Sequence, residues 1–451
     1  MAKPRIAIDG YNLALDQGTG VATYARNLSQ RLGAMGAEVG VLYGQRGSTG
    51  KDELLREVTL YDARPKPPHW LKRAIDDFVH SLKLSMGEEA KRVQLTDAVI
   101  RKGLEARLPY ADTAWNIPEL FRAAVQSFGA KNSMGKVRLP DRQDVMHWTY
   151  PLPLRVEGAK NIYTIHDLVP LRMPYATLDV KRRYLGTCRA IAATADHIVT
   201  VSEASKRDIV NLLGIPAEKV SNTFQCVEIP DRLARKPENL ARGEVEGAFG
   251  LEWGNYWLFF GAIEPKKNVG RLIEAYLASG STSPLVICGK QAWQMRQELG
   301  LIYEDDQRIM ADPGPFDGVQ ALTRKLRDRV ILLDYAPFRL LISLIRGAKG
   351  MLFPSLYEGF GLPALEAMLL GTPVMTSNTS SLPEVVGDAA LTVDPYDTRA
   401  MAEAIQALDG DANLRAELSA RGPKQAALFD AAHYDRRLAE MYSRIGIRLN
   451  S

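Results

Sequence analysis

Cysteine is scarce in this sequence: Cys188, Cys226 and Cys288 are the only three in 451 residues. An odd number at wide spacing, each inside an apolar stretch, makes neither a disulfide framework nor a CxxC metal site, and it suits a reducing compartment. Charge of one sign is lacking too. Against 57 Lys and Arg stand 53 Asp and Glu, a formal net of +4, too small over this length to suggest nucleic acid as a partner. No window reaches the ~18 successive apolar residues of a membrane span, and Asp9 sits where a leader would need its apolar centre. These absences lead us to expect a cytoplasmic protein, with a peripheral contact at the inner face of the cell membrane left open.

The composition is 46% hydrophobic and 24% charged, as in ordinary soluble domains. At about three times the ~150 residues of a typical single domain, the chain is expected to form two. The small positive excess is local: residues 61–140 hold 14 basic and 9 acidic side chains, net +5, which leaves the rest at −1.

Short β-branched or aromatic runs recur at Arg5–Asp9, Val39–Gly44, Val145–Tyr150, Asn161–Ile165 and His197–Ser202, with helix-like segments between them. A second series follows at Tyr256–Gly261, Leu285–Gly289, Val330–Asp334, Gly350–Pro354, Pro373–Thr376 and Ala390–Val393. Continuous apolar runs alternating with helical pattern predict parallel strands buried on both faces, hence an α/β fold of two doubly wound, Rossmann-like domains facing across a cleft. The expected domains are 1–235, 236–430, and a C-terminal helix at 431–451 packing back on the first. Residues 61–140 interrupt the first series as a mainly helical insertion. Within it Leu71, Ala74, Ile75, Phe78, Val79 and Leu82 recur at helical spacing, and the remainder reads as helix and loop.

Ligands of open α/β sheets bind outside the carboxyl ends of the strands. Gly18 and Gly20 follow the first strand; His166 follows Asn161–Ile165; Lys266 and Lys267 follow Tyr256–Gly261; Lys290 follows Leu285–Gly289. After Gly350–Pro354 comes Glu358-Gly359-Phe360-Gly361-Leu362-Pro363-Ala364-Leu365-Glu366. Pro363 suits the first position of a helix, so the glycine-bearing loop before it aims amide N–H groups and a positive dipole end at one point, a site suited to a diphosphate. Lys266 and Lys267 supply the cationic charge that a diphosphate leaving group needs without metal. Carboxylates of Glu358 and Glu366 beside phosphate-binding amides describe a nucleotide-sugar site. Singly, each signal has an ordinary structural counterpart: a helix-dipole partner, a solvated Lys pair, a glycine turn, a core histidine. Their joint placement at strand ends favours function.

These stretches resemble the family 4 retaining glycosyltransferases of the GT-B fold, most of all their mannosyltransferase branch. The likeness rests on Glu358–Glu366 (E-x7-E), GAIEPKKN at 261–268, VICGKQAW at 286–293, TIHDL at 164–168 and SSLPEVVGDAA at 380–390, and it covers most of the chain outside 61–140. It implies that Lys267, with Lys266, contacts the donor diphosphate and Glu366 the ribose hydroxyls. It further implies that Glu358 and the Gly359–Phe360–Gly361–Leu362 backbone meet the donor sugar and phosphates, and that His166 touches the transferred sugar. Gly18–Gly20 would form a loop over phosphate or acceptor. The donor implied first is GDP-mannose, and the acceptor a hydroxyl of a growing glycan or lipid-linked saccharide. A UDP-, dTDP- or other GDP-sugar, or a binding-only member without turnover, are the alternatives. Two departures stand out: Lys266 where the family often has Arg, which loses a bidentate fork, and Asn222-Thr223-Phe224-Gln225-Cys226-Val227 where many members carry an Asn-Gly-Val-Asp turn.

Rival motifs fail on context. Gly18-Thr19-Gly20-Val21-Ala22-Thr23 lacks the third small residue of a dinucleotide fingerprint, and no P-loop string occurs. Asp409-Gly410-Asp411 matches a metal-binding Asp-x-Asp but falls between helices instead of after a strand. The six histidines form no ligand cluster. No metal and no cofactor are expected.

Overall fold

The protein was analysed as a computed structural model, which describes residues 3–13, 20–46, 50, 52–60, 70–96, 99, 108–290, 298–299 and 329–450, without the side chains of 70–77. The chain divides into two compact units. The first comprises Met1–Arg172, Leu178–Cys226 and Ala431–Ser451; the second comprises Met173–Thr177 and Val227–Asp430. The division thus falls at Cys226/Val227, ahead of the expected 235/236.

The first unit carries strands β1 (Arg5–Asp9), β2 (Glu38–Tyr43), β3 (Glu88–Glu89), β4 (Lys91–Val93), β5 (Thr113–Asn116), β6 (Gly135–Arg138), β7 (Val145–Trp148), β8 (Leu154–Val156), β9 (Lys160–Thr164), β10 (His197–Thr200) and β11 (Val220–Asn222). Eight of them form one sheet in the order β11-β10-β9-β7-β1-β2-β5-β4, parallel throughout except for the last pair. Its central strands are buried along their length, which is why they read as continuous apolar runs. Parallel order needs crossovers, and helices such as Gly20–Ala34 and Lys181–Thr194 supply them.

The segment 61–140 departs from the helix-and-loop expectation. Helices Trp70–Met86 and Leu120–Lys131 are present, yet β5 also joins the main sheet beside β2, with Gly40 opposite Thr113 and Leu42 opposite Trp115. The segment therefore supplies sheet as well as covering it, and β3, β6 and β8 form a small sheet of their own. Four residues are too few to show strand alternation. The fit depends on Gly40, where a Cβ would lie 2.2 Å from the fully buried Trp115 ring.

Strands β12 (Trp257–Phe260), β13 (Leu285–Cys288), β14 (Val330–Leu333), β15 (Gly350–Phe353), β16 (Val374–Ser377) and β17 (Leu391–Val393) form the parallel sheet of the second unit, in the order β14-β13-β12-β15-β16-β17. All six match the second predicted series to within a residue or two. A core of Phe259, Ile287, Leu352 and Met375 on the strands and Leu272, Ile345, Met368 and Ile405 on the helices packs around it. The helix Ala431–Arg444 belongs to the first unit, where Tyr434, Leu438 and Met441 are buried and the Tyr442 hydroxyl lies 2.8 Å from His147 Nδ1. All three cysteines are free and buried.

Candidate functional site

In the second unit, β12 and β13 end on two glycines that meet backbone to backbone. A Cβ on Gly289 would stand 1.7 Å from the Gly261 carbonyl oxygen, and Gly261 itself has φ +142°. Side chains are thus excluded from this junction. The chain then runs through a single 3₁₀ turn, Pro265–Lys267, into Asn268, which is buried and left-handed at φ 61°. Asn tolerates that conformation better than most residues. Its side-chain amide donates to the carbonyls of Pro354 (3.1 Å) and Pro395 (2.7 Å), locking the turn against the loop after β15.

The turn sets Lys267 inward. Its Nζ lies 2.5 Å from Glu358 Oε1 and 4.9 Å from the centre of the Phe353 ring, and both charged residues are buried. Burial pushes the Glu358 carboxyl up, but the charges of Lys267 and then Lys266, with the Lys267 hydrogen bond, prevail and hold it below the usual glutamate range. Lys266 Nζ sits 3.3 Å from Glu264.

Glu358 is fixed at its backbone as well: its N–H donates to Ser380 Oγ (2.9 Å), and Ser381 Oγ donates to the carbonyls of Glu358 (3.0 Å) and Phe360 (2.8 Å). The loop closes on Gly361 at φ +109°, where a Cβ would strike Leu382 at 2.7 Å, and the helix Leu362–Leu369 begins there with Pro363 in its first turn. First-turn amides have no intrahelical acceptor. Glu366, on the same helix, has a carboxylate without hydrogen-bond or ion partner among the described residues. Burial pushes it up to about 7.

The structure thus brings together Lys266, Lys267, Glu358, Gly359–Leu362 and Glu366. Lys290 follows β13 with an exposed side chain, and its carbonyl accepts from Ile263 N–H (3.1 Å). In the first unit, Gly20 opens the helix Gly20–Ala34, whereas Gly18 lies outside the described residues. His166 follows β9, its Nε2 2.9 Å from the Thr149 carbonyl and its ring edge-to-face with Tyr24 at 4.8 Å. Burial lowers its pKa against the opposing Thr149 hydrogen bond. Sequence reasoning missed Asn268 as the lock of the turn and Ser380 and Ser381 as the clamp on Glu358, although all three lie within or beside quoted motifs. Their partners are 21 to 127 residues away, beyond any local pattern.

Asp409 pairs with Lys349, and Asp411 caps the helix Ala412–Ala426 by accepting from Asn413 and Leu414 N–H. Among the described residues no group of three or more His, Cys, Asp or Glu could hold a metal ion.

Residues 250–425 match the family described as glycosyl transferases group 1, and residues 117–221 match glycosyltransferase family 4. O-antigen chain mannosyltransferase B of Escherichia coli is 35% identical over 286 residues, 62% of this chain and 68% of that protein. The chain belongs to the family 4 glycosyltransferases. O-antigen chain mannosyltransferase RfbU of Salmonella typhimurium is 28% identical to this family 4 glycosyltransferase, over 58% of the chain and 63% of RfbU. The serotype-specific mannosyltransferase WbdA of Escherichia coli is 27% identical over 66% of the chain, which spans only 35% of WbdA. The GT-B fold is borne out. Sucrose-phosphate synthase from Thermosynechococcus elongatus superposes with a TM-score of 0.63 at 18% identity over 98% of this chain and 99% of that one. The lipopolysaccharide glycosyltransferase WaaG gives 0.56 at 16% identity over 97% and 99%.

Proposed function

We propose that this glycosyltransferase moves mannose from GDP-mannose to a hydroxyl of a growing glycan or lipid-linked saccharide, with retention of anomeric configuration, in building a cell-surface polysaccharide. The observation that carries the donor site is the buried Lys267–Glu358 pair beside the helix start at Gly361–Leu362, with the Glu366 carboxylate unpartnered among the described residues. Amides and lysine charge suit a diphosphate, and a free carboxylate suits ribose hydroxyls. The choice of mannose draws on the similarity to O-antigen mannosyltransferases.

In this reading, Lys267 and Lys266 stabilise the departing diphosphate, Glu358 orients Lys267 and meets the donor, and His166 contacts the transferred sugar. The bond from the anomeric carbon to the diphosphate oxygen breaks while the acceptor oxygen bonds on the same face. The acceptor proton passes to the leaving diphosphate. Charge on that group is met by lysine and helix amides, so neither metal nor cofactor is required. The reaction would run in the cytoplasm, at the membrane's inner face where the acceptor is lipid-linked; no helix among the described residues is long and apolar enough to cross a membrane.

Thermal unfolding against a panel of nucleotide sugars tests the donor, since a ligand at 100 times its Kd stabilises by about 2.7 kcal/mol. GDP-mannose is expected to protect best, and NMR of the product to show the retained anomer. Best protection by a UDP- or dTDP-sugar would replace the donor. Protection by none would overturn the reading.

A further inference from the structure

We propose that Asp9 is a positioning residue for His166, acting through Thr149; this rests on the reading that His166 contacts the transferred sugar. Asp9 ends β1, Thr149 stands one residue beyond β7, and His166 two residues beyond β9, on three successive strands of one sheet. The Asp9 carboxylate accepts the Thr149 N–H through Oδ2 and the Tyr11 N–H through Oδ1 (3.1 Å). The carbonyl of the same Thr149 accepts from His166 Nε2 at 2.9 Å. Thr149 is therefore held at both ends, by a carboxylate on its amide and by the imidazole on its carbonyl.

The direction of the second bond decides the tautomer. A carbonyl only accepts, so Nε2 carries the proton and a neutral His166 keeps its lone pair on Nδ1. The orientation of the Thr149 carbonyl sets the plane of the ring, and Asp9 sets the orientation of Thr149. The Tyr24 ring, edge-to-face with His166, closes another side, and Thr164 holds the Tyr24 hydroxyl at 2.9 Å.

A carboxylate is a costly choice for holding one amide. Asp9 is fully buried and has no cation within ion-pair distance among the described residues, so burial pushes it up to about 6 against the hydrogen bonds that lower it. A neutral side chain would satisfy the Thr149 N–H with less desolvation. What the charge adds is a shorter, stiffer bond, which matters where a small misplacement of a group near the reacting centre costs rate.

The test uses the full chain with GDP-mannose and GDP. Asp9→Asn, close in shape but uncharged, should lower kcat on the order of tenfold or more while leaving GDP affinity within about twofold. In a cycle with His166→Ala, the double variant should be no slower than His166→Ala alone, because both changes remove one unit. ¹⁵N NMR of labelled histidine should show His166 as the Nε2–H tautomer in the wild type and mixed in Asp9→Asn. Losses that multiply in the double variant, or an unchanged tautomer in Asp9→Asn, overturn the proposal. So does a wild-type His166 protonated on Nδ1, a measurement that needs no variant to fold. If His166→Ala transfers at the wild-type rate, the sugar-contact reading falls with this proposal. If His166→Ala is slow and Asp9→Asn is not, only the proposal falls.

Discussion

Lys267 and Glu358 stand 91 residues apart in the sequence and form a buried ion pair at 2.5 Å. Each is tolerable inside the second unit because of the other, since removing one partner of a buried pair leaves an uncompensated charge. Lys267→Ala should therefore cost about 3–5 kcal/mol of stability in urea titrations at pH 7, and Lys267→Met with Glu358→Gln should recover much of it. Glu358 is held below 4.5, the ordinary glutamate value. Its contribution is therefore present above that value and is lost as pH falls through the lower folded value. The acid limb of wild-type stability should weaken in the single variant. A cost below about 1 kcal/mol would mean that the pair is solvated.

Glu366 has the opposite sign. Its folded value, about 7, is raised from 4.5 by burial, so the folded protein holds the extra proton. Its contribution is full below 4.5 and is lost as pH rises through about 7. Glu366→Gln should gain on the wild type in melting temperature across that window, and should lose donor affinity if, as proposed, its carboxylate accepts from the ribose hydroxyls. Parallel stability curves for the two proteins between pH 4.5 and 7 would refute the burial assignment.

Gly289→Ala places a Cβ on the Gly261 carbonyl oxygen. Backbone cannot move aside as a side chain does, so a loss of at least about 1–3 kcal/mol is expected, together with weaker nucleotide protection as β12 and β13 part. Gly247→Ala is the control: it lies in the helix Glu238–Phe249 with open space around it, and should gain about 0.5–1 kcal/mol. Equal effects at the two sites in thermal melts would contradict the close approach.

EDTA should leave the transfer rate within about twofold if, as proposed, lysine and helix amides carry the phosphate charge. Asp411→Ala should cost about 1 kcal/mol through its lost helix cap and leave turnover unchanged. A rate that collapses in EDTA and returns with Mg²⁺ or Mn²⁺ would overturn metal independence.

Phe78, Leu82 and Met86 occupy one face of the helix Trp70–Met86 at 73%, 50% and 60% exposure, while Leu84 is buried. In a segment of net +5, such a face suits an anionic lipid interface. Pelleting with anionic vesicles at 0.1 M salt should fall at 1 M, where the Debye length drops to about 3 Å, and should fall again in Phe78→Ser/Leu82→Ser. Equal pelleting by both proteins would remove the membrane contact.

How much of the site was legible depended on how local its signals were. Glu358–Glu366 could be read directly because a glycine-bearing loop, Pro363 and the helix start lie within nine residues. The clamp of Ser380 and Ser381 on Glu358 could not, since serine carries no sign of which carbonyl it will meet. Phe78 and Leu82 show the same limit from another side: their spacing predicted a helical stripe, and folding left these two side chains facing solvent.

By itself the sequence determined the α/β order of the two units, the strands buried on both faces and the motifs at their carboxyl ends. Apolar runs and glycines act through near neighbours, and their period survives in one dimension. Tertiary structure alone decided that β5 completes the first sheet beside β2, that Gly261 and Gly289 touch, and that Lys267 is neutralised by Glu358. It alone strung Asp9, Thr149 and His166 into one line. Each of these joins strands, or the segments that follow them, brought together by parallel crossovers, and a crossover places residues tens to more than a hundred positions apart within hydrogen-bond reach without marking either one in the sequence.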